Sequence, residues 1–417
     1  MIVHLRRFAL YASFGASLAA AACALPEEDR AGEDRAGEDR AAEEVTHSEE
    51  EALSEISDLA APEDWSVAIV ESTMKRFTPS SFGGWGYTQG LYLWGQYLVY
   101  KRTHNPRYLE YIKQWVDRFV DANGHINNAF NDLDSMESGN VVLALYQETG
   151  QAKYRTAATQ IRNRLKTYPR ISDGGFWHST NFRHQLWADG VFMVAPFVAR
   201  YGQTVGESTY ANDESSNQLA IYGRHLIATD GILYHAYDEA KTQSWANPTT
   251  GLSPEKWCRA VGWYAMASID ILEILPTDHP RRAQLLTNVT NLVTAFERYQ
   301  DPASGRWFQV VDKGSVSGNW TETSCSAMYT YATSRAVQRG YVPSRFGTVA
   351  SKGYQGVLAR MNVGSDGLTN ITQICVGTGA GGSVSYYFNR PRATNDLHGL
   401  GAVLIMNEQL AHPTSPM

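Results

Sequence analysis

Two aspartates stand where predicted apolar helices begin, and a carboxylate in that position either does chemistry or serves the helix itself. Asp134 opens the stretch 134–139, and Asp189 follows Trp187 at the start of another apolar run. Two carboxyl groups in one pocket can divide general acid and base work, because burial and a neighbouring charge raise the pKa of one of them. The structural alternative is that both acids favour the dipole at a helix N-terminus.

Further polar and aromatic residues accompany these acids. His178 and His235 each lie in a short β-like piece between predicted helices. The complete set of candidate site residues is Tyr87, Asp134, His178, Trp187, Asp189, His235, Trp257, Arg259 and Trp263. Each has an ordinary explanation as well, since the histidines can be exposed or hydrogen-bonded, the arginine a surface charge and the rings core residues. Their position in the fold decides between the two interpretations.

Helical periodicity dominates the sequence from Trp65 onward and predicts twelve helices in six pairs. The predicted ranges are 65–77 with 86–102, 106–121 with 135–149, 151–167 with 185–201, 207–227 with 256–274, 279–300 with 321–338, and 343–361 with 395–410. Asn105-Pro106 shows the expected start signal, a proline in the first turn. Pro196 falls inside a predicted helix and should kink it.

The second helix of each pair opens in the same way, with polar or aromatic residues, then a small residue, then an apolar run. The six openings are 85–90, 134–139, 187–190, 257–262, 322–326 and 395–399. They recur at intervals of roughly 50 to 75 residues, about one helical hairpin with its loop. The pattern predicts an all-α fold, an (α/α)6 barrel with the second helices as its inner wall and short β pieces in the rim loops. An open superhelix of helical pairs is the alternative.

Closing six hairpins into a ring would bring the candidate residues to one end of it. The starts of the inner helices and the long loops that precede them share that end, and long loops over a pocket commonly carry function. Two acids, a cation and several rings in one place would suit an acidic sugar. This shared position favours a site over nine unrelated structural roles.

The N-terminal residues have features of targeting rather than of the fold. Arg6 and Arg7 precede an apolar run over residues 8–22, which predicts a signal peptide over residues 1–23. Cys23 follows small residues as in a loose bacterial lipobox, so lipid attachment there and simple cleavage both remain open. Residues 24–64 are predicted to be an acidic low-complexity linker, and residues 65–417 the catalytic domain. We therefore expect an exported protein, periplasmic or extracellular, with membrane contact only through a lipid on Cys23.

Charge and cysteine content narrow the function classes. The whole chain has a formal net charge of −7. The acidic segment 26–64 alone holds 16 Asp+Glu and 3 Arg, which is more negative charge than the whole chain carries, so residues 65–417 are mildly basic. That balance tolerates an anionic ligand and gives no sign of nucleic acid binding. Cys258, Cys325 and Cys375 show no metal-ligand spacing, so we predict no structural zinc and no cofactor. Their odd number leaves at least one free thiol, most simply a buried one.

Several motifs, in the right order, resemble the unsaturated rhamnogalacturonyl hydrolases of glycoside hydrolase family 105 and, more distantly, the unsaturated glucuronyl hydrolases of family 88. The resemblance spans roughly residues 65 to 410. Its motifs are Trp187-Ala188-Asp189-Gly190, Tyr234-His235, Trp257-x-Arg259-x-x-Gly262-Trp263 and Glu322-Thr323-Ser324. Cys258 occupies a variable position inside the third motif and takes no role from it.

The resemblance implies an (α/α)6 barrel that removes a 4,5-unsaturated uronic acid from the non-reducing end of lyase-generated pectin oligosaccharides. It implies that Asp189 is the general acid and base and that Asp134 is its carboxylate partner. The other candidates would line the site for the unsaturated acidic oligosaccharide.

The residue types suit that chemistry. The substrate is an enol ether, so a carboxylic acid can give a proton to C4 while water adds at C5. The resulting hemiketal opens and leaves a hemiacetal at C1 that expels the neighbouring sugar. Asp189 would give a proton and later accept one from water, if burial or Asp134 raises its pKa. Arg259 could pair with the uronate through its planar fork, and no metal is needed.

Two other functions fit the same sequence. A conventional glycosidase with two carboxylates on the same barrel would cleave a saturated uronoside. A non-catalytic carbohydrate-binding protein would bind oligosaccharides and release no product.

Overall fold

The computed structural model describes residues 61–413. The predicted signal peptide, the lipobox at Cys23 and the acidic linker up to residue 60 lie outside these residues. In chain order the helices are α1 (Trp65–Arg76), α2 (Tyr87–Thr103), α3 (Pro106–Val116), α4 (Gly139–Thr149), α5 (Ala152–Leu165), α6 (Ala188–Thr204), α7 (Ser208–Leu226), α8 (Cys258–Ile274), α9 (Arg282–Tyr299), α10 (Thr323–Gln338), α11 (Gly347–Leu358), α12 (Val384–Phe388) and α13 (Leu397–Ala411). No helix within residues 61–413 is long and apolar enough to cross a membrane.

Six of these helices form a closed inner ring. Helix α2 contacts α4, α4 contacts α6, α6 contacts α8, α8 contacts α10, α10 contacts α13, and α13 returns to α2. The other long helices pack outside this ring, and α12 is a single short turn between α11 and α13. Ring closure confirms the (α/α)6 barrel and rules out the open superhelix.

The inner helices are buried because their sequences are apolar on almost every side. In α6 and α8, fourteen of the seventeen residues in each are buried, in contrast to the outer helix α9. Small residues let these helices approach one another. A Cβ on Gly90 of α2 would lie 1.9 Å from Oε2 of Glu137, and one on Gly401 of α13 would lie 2.6 Å from Cγ of Leu91.

Within the described residues, four short antiparallel strand pairs lie in the rim loops. They are β1 (Gln185–Trp187) with β2 (Ala236–Asp238), β3 (Trp307–Phe308) with β4 (Thr321–Glu322), β5 (Met361–Val363) with β6 (Thr369–Ile371), and β7 (Ile374–Cys375) with β8 (Arg392–Ala393). The predicted helix 185–201 was wrong at its start, because residues 185–187 pair with β2 before α6 begins. Strand β1 thus ends directly before the turn that carries Asp189.

Other element boundaries also differ from prediction. The predicted helix 135–149 opens as a 3-10 turn, Asp134–Met136, before α4 starts at Gly139. Pro106 is confirmed in the first turn of α3, with Asn105 as its N-cap. Helix α6 continues through Pro196 to Thr204.

A disulfide joins two inner helices at their N-terminal ends. It links Cys258, the first residue of α8, to Cys325 in the first turn of α10. Of the cysteines in the described part of the chain, Cys375 is free and buried. The prediction of a buried free thiol is thereby confirmed.

Candidate active site

The N-termini of all six inner helices carry a polar or charged side chain toward the same end of the ring. These residues are Tyr87 in α2, Asp134 before α4, Asp189 in α6, Arg259 in α8, Ser324 in α10 and His398 in α13. The free backbone N–H groups of helix N-termini carry partial positive charge, so their convergence favours an anionic ligand. The predicted shared end of the ring is confirmed.

Asp189 lies in the first turn of α6 and faces His235. The distance from Asp189 Oδ2 to His235 Nε2 is 3.3 Å, but the two groups are not aligned as a hydrogen bond requires. Hydrogen bonds of this kind are often long in ligand-free enzymes and tighten with substrate. On its other side, His235 Nδ1 lies 2.8 Å from the hydroxyl group of Tyr387. His235 is fully buried, so these two contacts hold the ring in place.

Asp134 lies across the site and faces the second histidine. Its Oδ1 is 3.8 Å from His178 Nε2, and about 34% of its side chain is exposed. Space behind His178 is filled by α6, since a Cβ on Gly190 would lie 3.2 Å from His178 Nδ1. The small residue of the Asp189-Gly190 motif therefore makes room for the histidine.

The two acids differ in proton affinity. Burial and, after it, the negative charge of Asp189 together raise the pKa of Asp134 to about 8. Burial also acts to raise the pKa of Asp189, but its contact with His235, together with the electrostatic influence of His178, outweighs burial and lowers the pKa. Burial lowers the pKa of His178 to about 4, so this imidazole is neutral at pH 7. The pair thus carries one proton at neutral pH.

This distribution corrects one expectation. From the sequence we expect burial or Asp134 to raise the pKa of Asp189, whereas in the ligand-free site the proton lies on Asp134 and Asp189 is ionised. The physical reason is that only Asp189 lies close to the buried His235, which stabilises its negative charge.

Tyr87 is held by a chain of hydrogen bonds from α13. Its hydroxyl group is 2.6 Å from His398 Nε2, and His398 Nδ1 is 2.5 Å from Oδ1 of Asp396. The carboxylate accepts the Nδ1 proton, so Nε2 is free to accept the proton of Tyr87. The hydroxyl oxygen is thus left with its lone pairs for the pocket. The pKa of Tyr87 is raised, mainly by burial, so its hydroxyl group stays protonated.

An aromatic wall borders the acids. Trp187 stacks on His178 with ring centres 4.4 Å apart and on Phe182 with ring centres 4.9 Å apart, each nearly parallel. Phe182 is 39% exposed, unlike most large apolar side chains of the described residues. Exposed parallel rings next to an acid offer a stacking face for a sugar.

Three predicted lining residues lie deeper than expected. Trp257, Arg259 and Trp263 are each 1% exposed, so the two tryptophans present no open ring face. Trp263 packs under Tyr87, and the guanidinium of Arg259 lies over the ring of Trp257.

The terminal nitrogens of Arg259 donate hydrogen bonds to other groups of the protein. Its Nη1 donates to the carbonyl oxygen of Cys375 and to Ser324 Oγ, and its Nη2 donates to the carbonyl oxygen of Val376. The planar fork expected to pair with a uronate instead fixes strand β7 and the segment after it. Direct contact between Arg259 and substrate remains a prediction.

Sequence reasoning missed His398, Asp396, Tyr387 and Phe182. His398 and Asp396 were within reach, because they form the sixth helix opening at 395–399 and repeat the position of the other site residues. Tyr387 lies on α12, in a stretch that no predicted helix covers. Phe182 lies in a rim loop that has no periodic signal.

One grouping has the residue types of a metal site. The sulfurs of Cys258 and Cys325 and a carboxylate oxygen of Glu322 lie within 4.8 Å of one another. The sulfurs are joined as a disulfide, and a thiolate is what binds metal. Glu322 is fully engaged as well, because it accepts from the backbone N–H groups of Cys325 and Cys375. This cluster is a structural tie under the site.

Comparison with known proteins gives consistent matches. Residues 65–411 match the family described as Glycosyl Hydrolase Family 88. A glycoside hydrolase of family 105 from C. acetobutylicum has a TM-score of 0.81 and 36% identity, covering 84% of this chain and 100% of that chain. The unsaturated rhamnogalacturonyl hydrolase YesR of Bacillus subtilis is 27% identical over 282 residues, 65% of this chain and 76% of that protein. The unsaturated glucuronyl hydrolase of Bacillus sp. GL1 shares the fold, with a TM-score of 0.63 and 15% identity over 83% of this chain and 95% of that chain.

Proposed function

The chain belongs to glycosyl hydrolase family 88, and we propose that it removes a 4,5-unsaturated uronic acid from the non-reducing end of lyase-generated oligosaccharides. Membership confirms the family resemblance seen in the sequence and makes the protein a glycoside hydrolase. The observation that carries the proposal is the pair Asp134 and Asp189, each of which lies beside a buried histidine where six helix N-termini converge. An anionic sugar and an acid–base reaction both fit that end of the ring.

The proposed reaction uses Asp189 on the reacting atoms. An incoming uronate adds negative charge beside Asp189, and like charge raises the pKa of a carboxyl group. Substrate binding thereby favours the protonated form, which gives its proton to C4. The ionised Asp189 then accepts a proton from the water that adds at C5, and the hemiketal opens to release the next sugar. Asp134 keeps its own proton and so limits the negative charge around the uronate.

We further propose that the oligosaccharide derives from rhamnogalacturonan, so that rhamnose follows the uronate. Support comes from the relative named unsaturated rhamnogalacturonyl hydrolase. Trp187 and the exposed Phe182 offer a flat apolar face next to Asp189, on which the following sugar can stack. Tyr87 would accept a hydrogen bond from a sugar hydroxyl.

The decisive experiment incubates the enzyme with unsaturated rhamnogalacturonan disaccharide in deuterated water. We expect the ultraviolet absorbance of the double bond to disappear and deuterium to enter at C4. A saturated disaccharide of the same sugars is the matched control and should stay intact. Cleavage of that control would indicate a conventional glycosidase, and saturable binding without product would indicate a carbohydrate-binding protein.

The sugar preference needs its own comparison. Under the same conditions, an unsaturated glucuronyl disaccharide from a glycosaminoglycan should turn over more slowly than the rhamnogalacturonan disaccharide. Equal or faster turnover would keep the hydration chemistry and reject the pectin assignment.

We propose that the protein acts outside the cytoplasm, as the N-terminal sequence predicts. The disulfide between Cys258 and Cys325 supports an oxidising compartment. If Cys23 is lipidated, Cys23→Ala should move the protein from the membrane fraction to the soluble fraction. An unchanged distribution would reject the anchor.

A further inference from the structure

Tyr387 links a glycine-rich segment, residues 377–382, to the histidine beside Asp189. It is fully buried, and its hydroxyl oxygen accepts a hydrogen bond from the backbone N–H of Gly381 at 2.9 Å. The same hydroxyl group lies 2.8 Å from His235 Nδ1. The glycine-rich segment reaches the wall of the site, since a Cβ on Gly379 would lie 3.4 Å from the ring of Trp187.

The protons of this chain can be placed by counting donors and acceptors. Tyr387 has one proton to give, and among residues 61–413 its hydroxyl group has no acceptor other than His235 Nδ1. If Tyr387 donates to Nδ1, the neutral imidazole carries its proton on Nε2, the nitrogen that lies 3.3 Å from Oδ2 of Asp189. If Nδ1 carried the proton, the Tyr387 proton would be unused and the Nε2 lone pair would face a carboxylate.

We propose that Tyr387 is a positioning residue that holds His235 in its Nε2–H tautomer and so keeps an N–H donor beside Asp189. The proposal rests on the function proposed above for Asp189. Its consequence is that the surroundings of Asp189 are controlled by residues outside the inner helices, namely α12 and the segment 377–382 that folds over Tyr387. Burial raises the pKa of Tyr387, so the hydroxyl group remains a donor throughout the working pH range.

Several titratable groups act on Asp189 together with this chain. They come from α2, the turn before α4, the rim segments, α7, α12 and α13, and are Tyr87, Asp134, His178, Tyr222, His235, Tyr387 and His398. Of these groups in the described part of the chain, His235 is the one that contacts both Asp189 and Tyr387. A change at Tyr387 therefore reaches Asp189 through one residue.

The chain offers a matched control next to Tyr387. Tyr386 lies beside it on α12, and its hydroxyl group accepts from the same segment, at the backbone N–H of Gly379, 3.2 Å away. Its hydroxyl group makes no contact with His235 within the described residues. Tyr386→Phe thus removes one tie of the segment without altering the imidazole, whereas Tyr387→Phe removes a tie and the proton donor.

The test measures imidazole ¹⁵N shifts and kinetics for the two variants. In the wild type, His235 should show a protonated Nε2 and an unprotonated Nδ1, with its resonance assigned by loss in His235→Gln. Tyr387→Phe should mix the tautomers and lower kcat about tenfold, the effect of one buried hydrogen bond, with little change in KM. The alkaline limb of the kcat profile should move to higher pH, because Asp189 must be protonated to give its proton to C4 and the variant removes a contact that lowers its pKa. Tyr386→Phe should change kcat less than twofold.

Two results would overturn the proposal. A wild-type His235 protonated on Nδ1 would refute it directly, and this measurement needs no variant and no substrate. Equal losses of kcat in both variants, with unchanged ¹⁵N shifts, would show that Tyr387 only supports the segment. Failure of the proposed function would appear differently, as wild-type enzyme that leaves the unsaturated disaccharide intact while the tautomer remains as described. In a His235→Gln background, Tyr387→Phe should have no further effect on kcat, which tests the route through His235.

Discussion

The proton on Asp134 gives the sharpest quantitative prediction, a loss of activity between pH 7 and pH 9. Because the pKa of this carboxyl is about 8, about 90% of the sites are protonated at pH 7 and about 10% at pH 9. If substrate binds only to enzyme in which Asp134 is protonated, kcat/KM should fall about tenfold across this interval. The limb reports the pair, since Asp189 is the neighbour whose charge raises the Asp134 pKa.

The assay follows the double-bond absorbance at low substrate concentration in buffers of constant ionic strength. Asp134→Asn replaces the protonated carboxyl with a neutral group of the same size, so it should retain more activity than Asp189→Asn. Its kcat/KM should be flat between pH 7 and pH 9. Asp132→Asn is the graded control, because Asp132 also raises the Asp134 pKa and its loss should move the limb to lower pH. A flat wild-type profile, or an unchanged limb in Asp134→Asn, would refute the reasoning.

The same shift has a consequence for stability. The folded-state pKa of Asp134 lies above its ordinary value of 3.8, so the native state holds this proton more tightly than the unfolded chain does. The contribution of this group to stability is therefore complete below about pH 4 and is lost as the pH rises to about 8. Asp134→Asn should gain stability relative to wild type over that interval, which thermal unfolding at pH 4 and pH 8 would measure.

Other predictions follow from single contacts. Asp189→Asn should lower kcat at least about a hundredfold with an unchanged circular dichroism spectrum, and more residual activity would reject its acid–base role. Arg259→Ala should lower the unfolding free energy by about 1–3 kcal/mol, because buried carbonyl oxygens lose their donor, and Arg259→Lys should not restore it. Replacing Cys258 and Cys325 by Ala opens a loop with a sequence separation of 67 and should cost about 4 kcal/mol in denaturant titrations, because the unfolded chain gains conformational entropy; an unchanged unfolding free energy would contradict this. Gly90→Ala should lower the melting temperature, since its Cβ would collide with Glu137.

The inner ring was predictable because its signal is local and repeated. Each inner helix start combines a polar residue with a small one. The small residue is needed for steric reasons, because a Cβ on Gly90 or Gly190 would crowd neighbouring side chains. The same repeat placed Asp134 and Asp189 at one end of the ring. Family resemblance then gave these two acids their roles.

What the sequence did not reveal depends on long-range contacts. Trp257 and Trp263 are of a residue type that commonly stacks on sugars. Whether their ring faces are open to a ligand, however, depends on packing by helices distant in the chain. Which acid holds the proton depends on the contact between His235 and Asp189, which no local pattern encodes. Tyr387 lies in an irregular stretch, so periodicity could not find it.

Ring closure has a consequence for how the enzyme comes into being. Tyr87 and His398 meet in the site although 311 positions separate them in the chain, and α13 follows the other described helices in chain order. A nascent chain therefore has no complete site until α13 docks, and a truncation before α13 removes His398 along with the wall that seals the ring. At the same time Asp64 Oδ1 and His412 Nε2 lie 3.7 Å apart, so the two ends of the described fold are neighbours. A short linker between them, with new termini opened in an outer loop, should give a circular permutant in which a different hairpin completes the site.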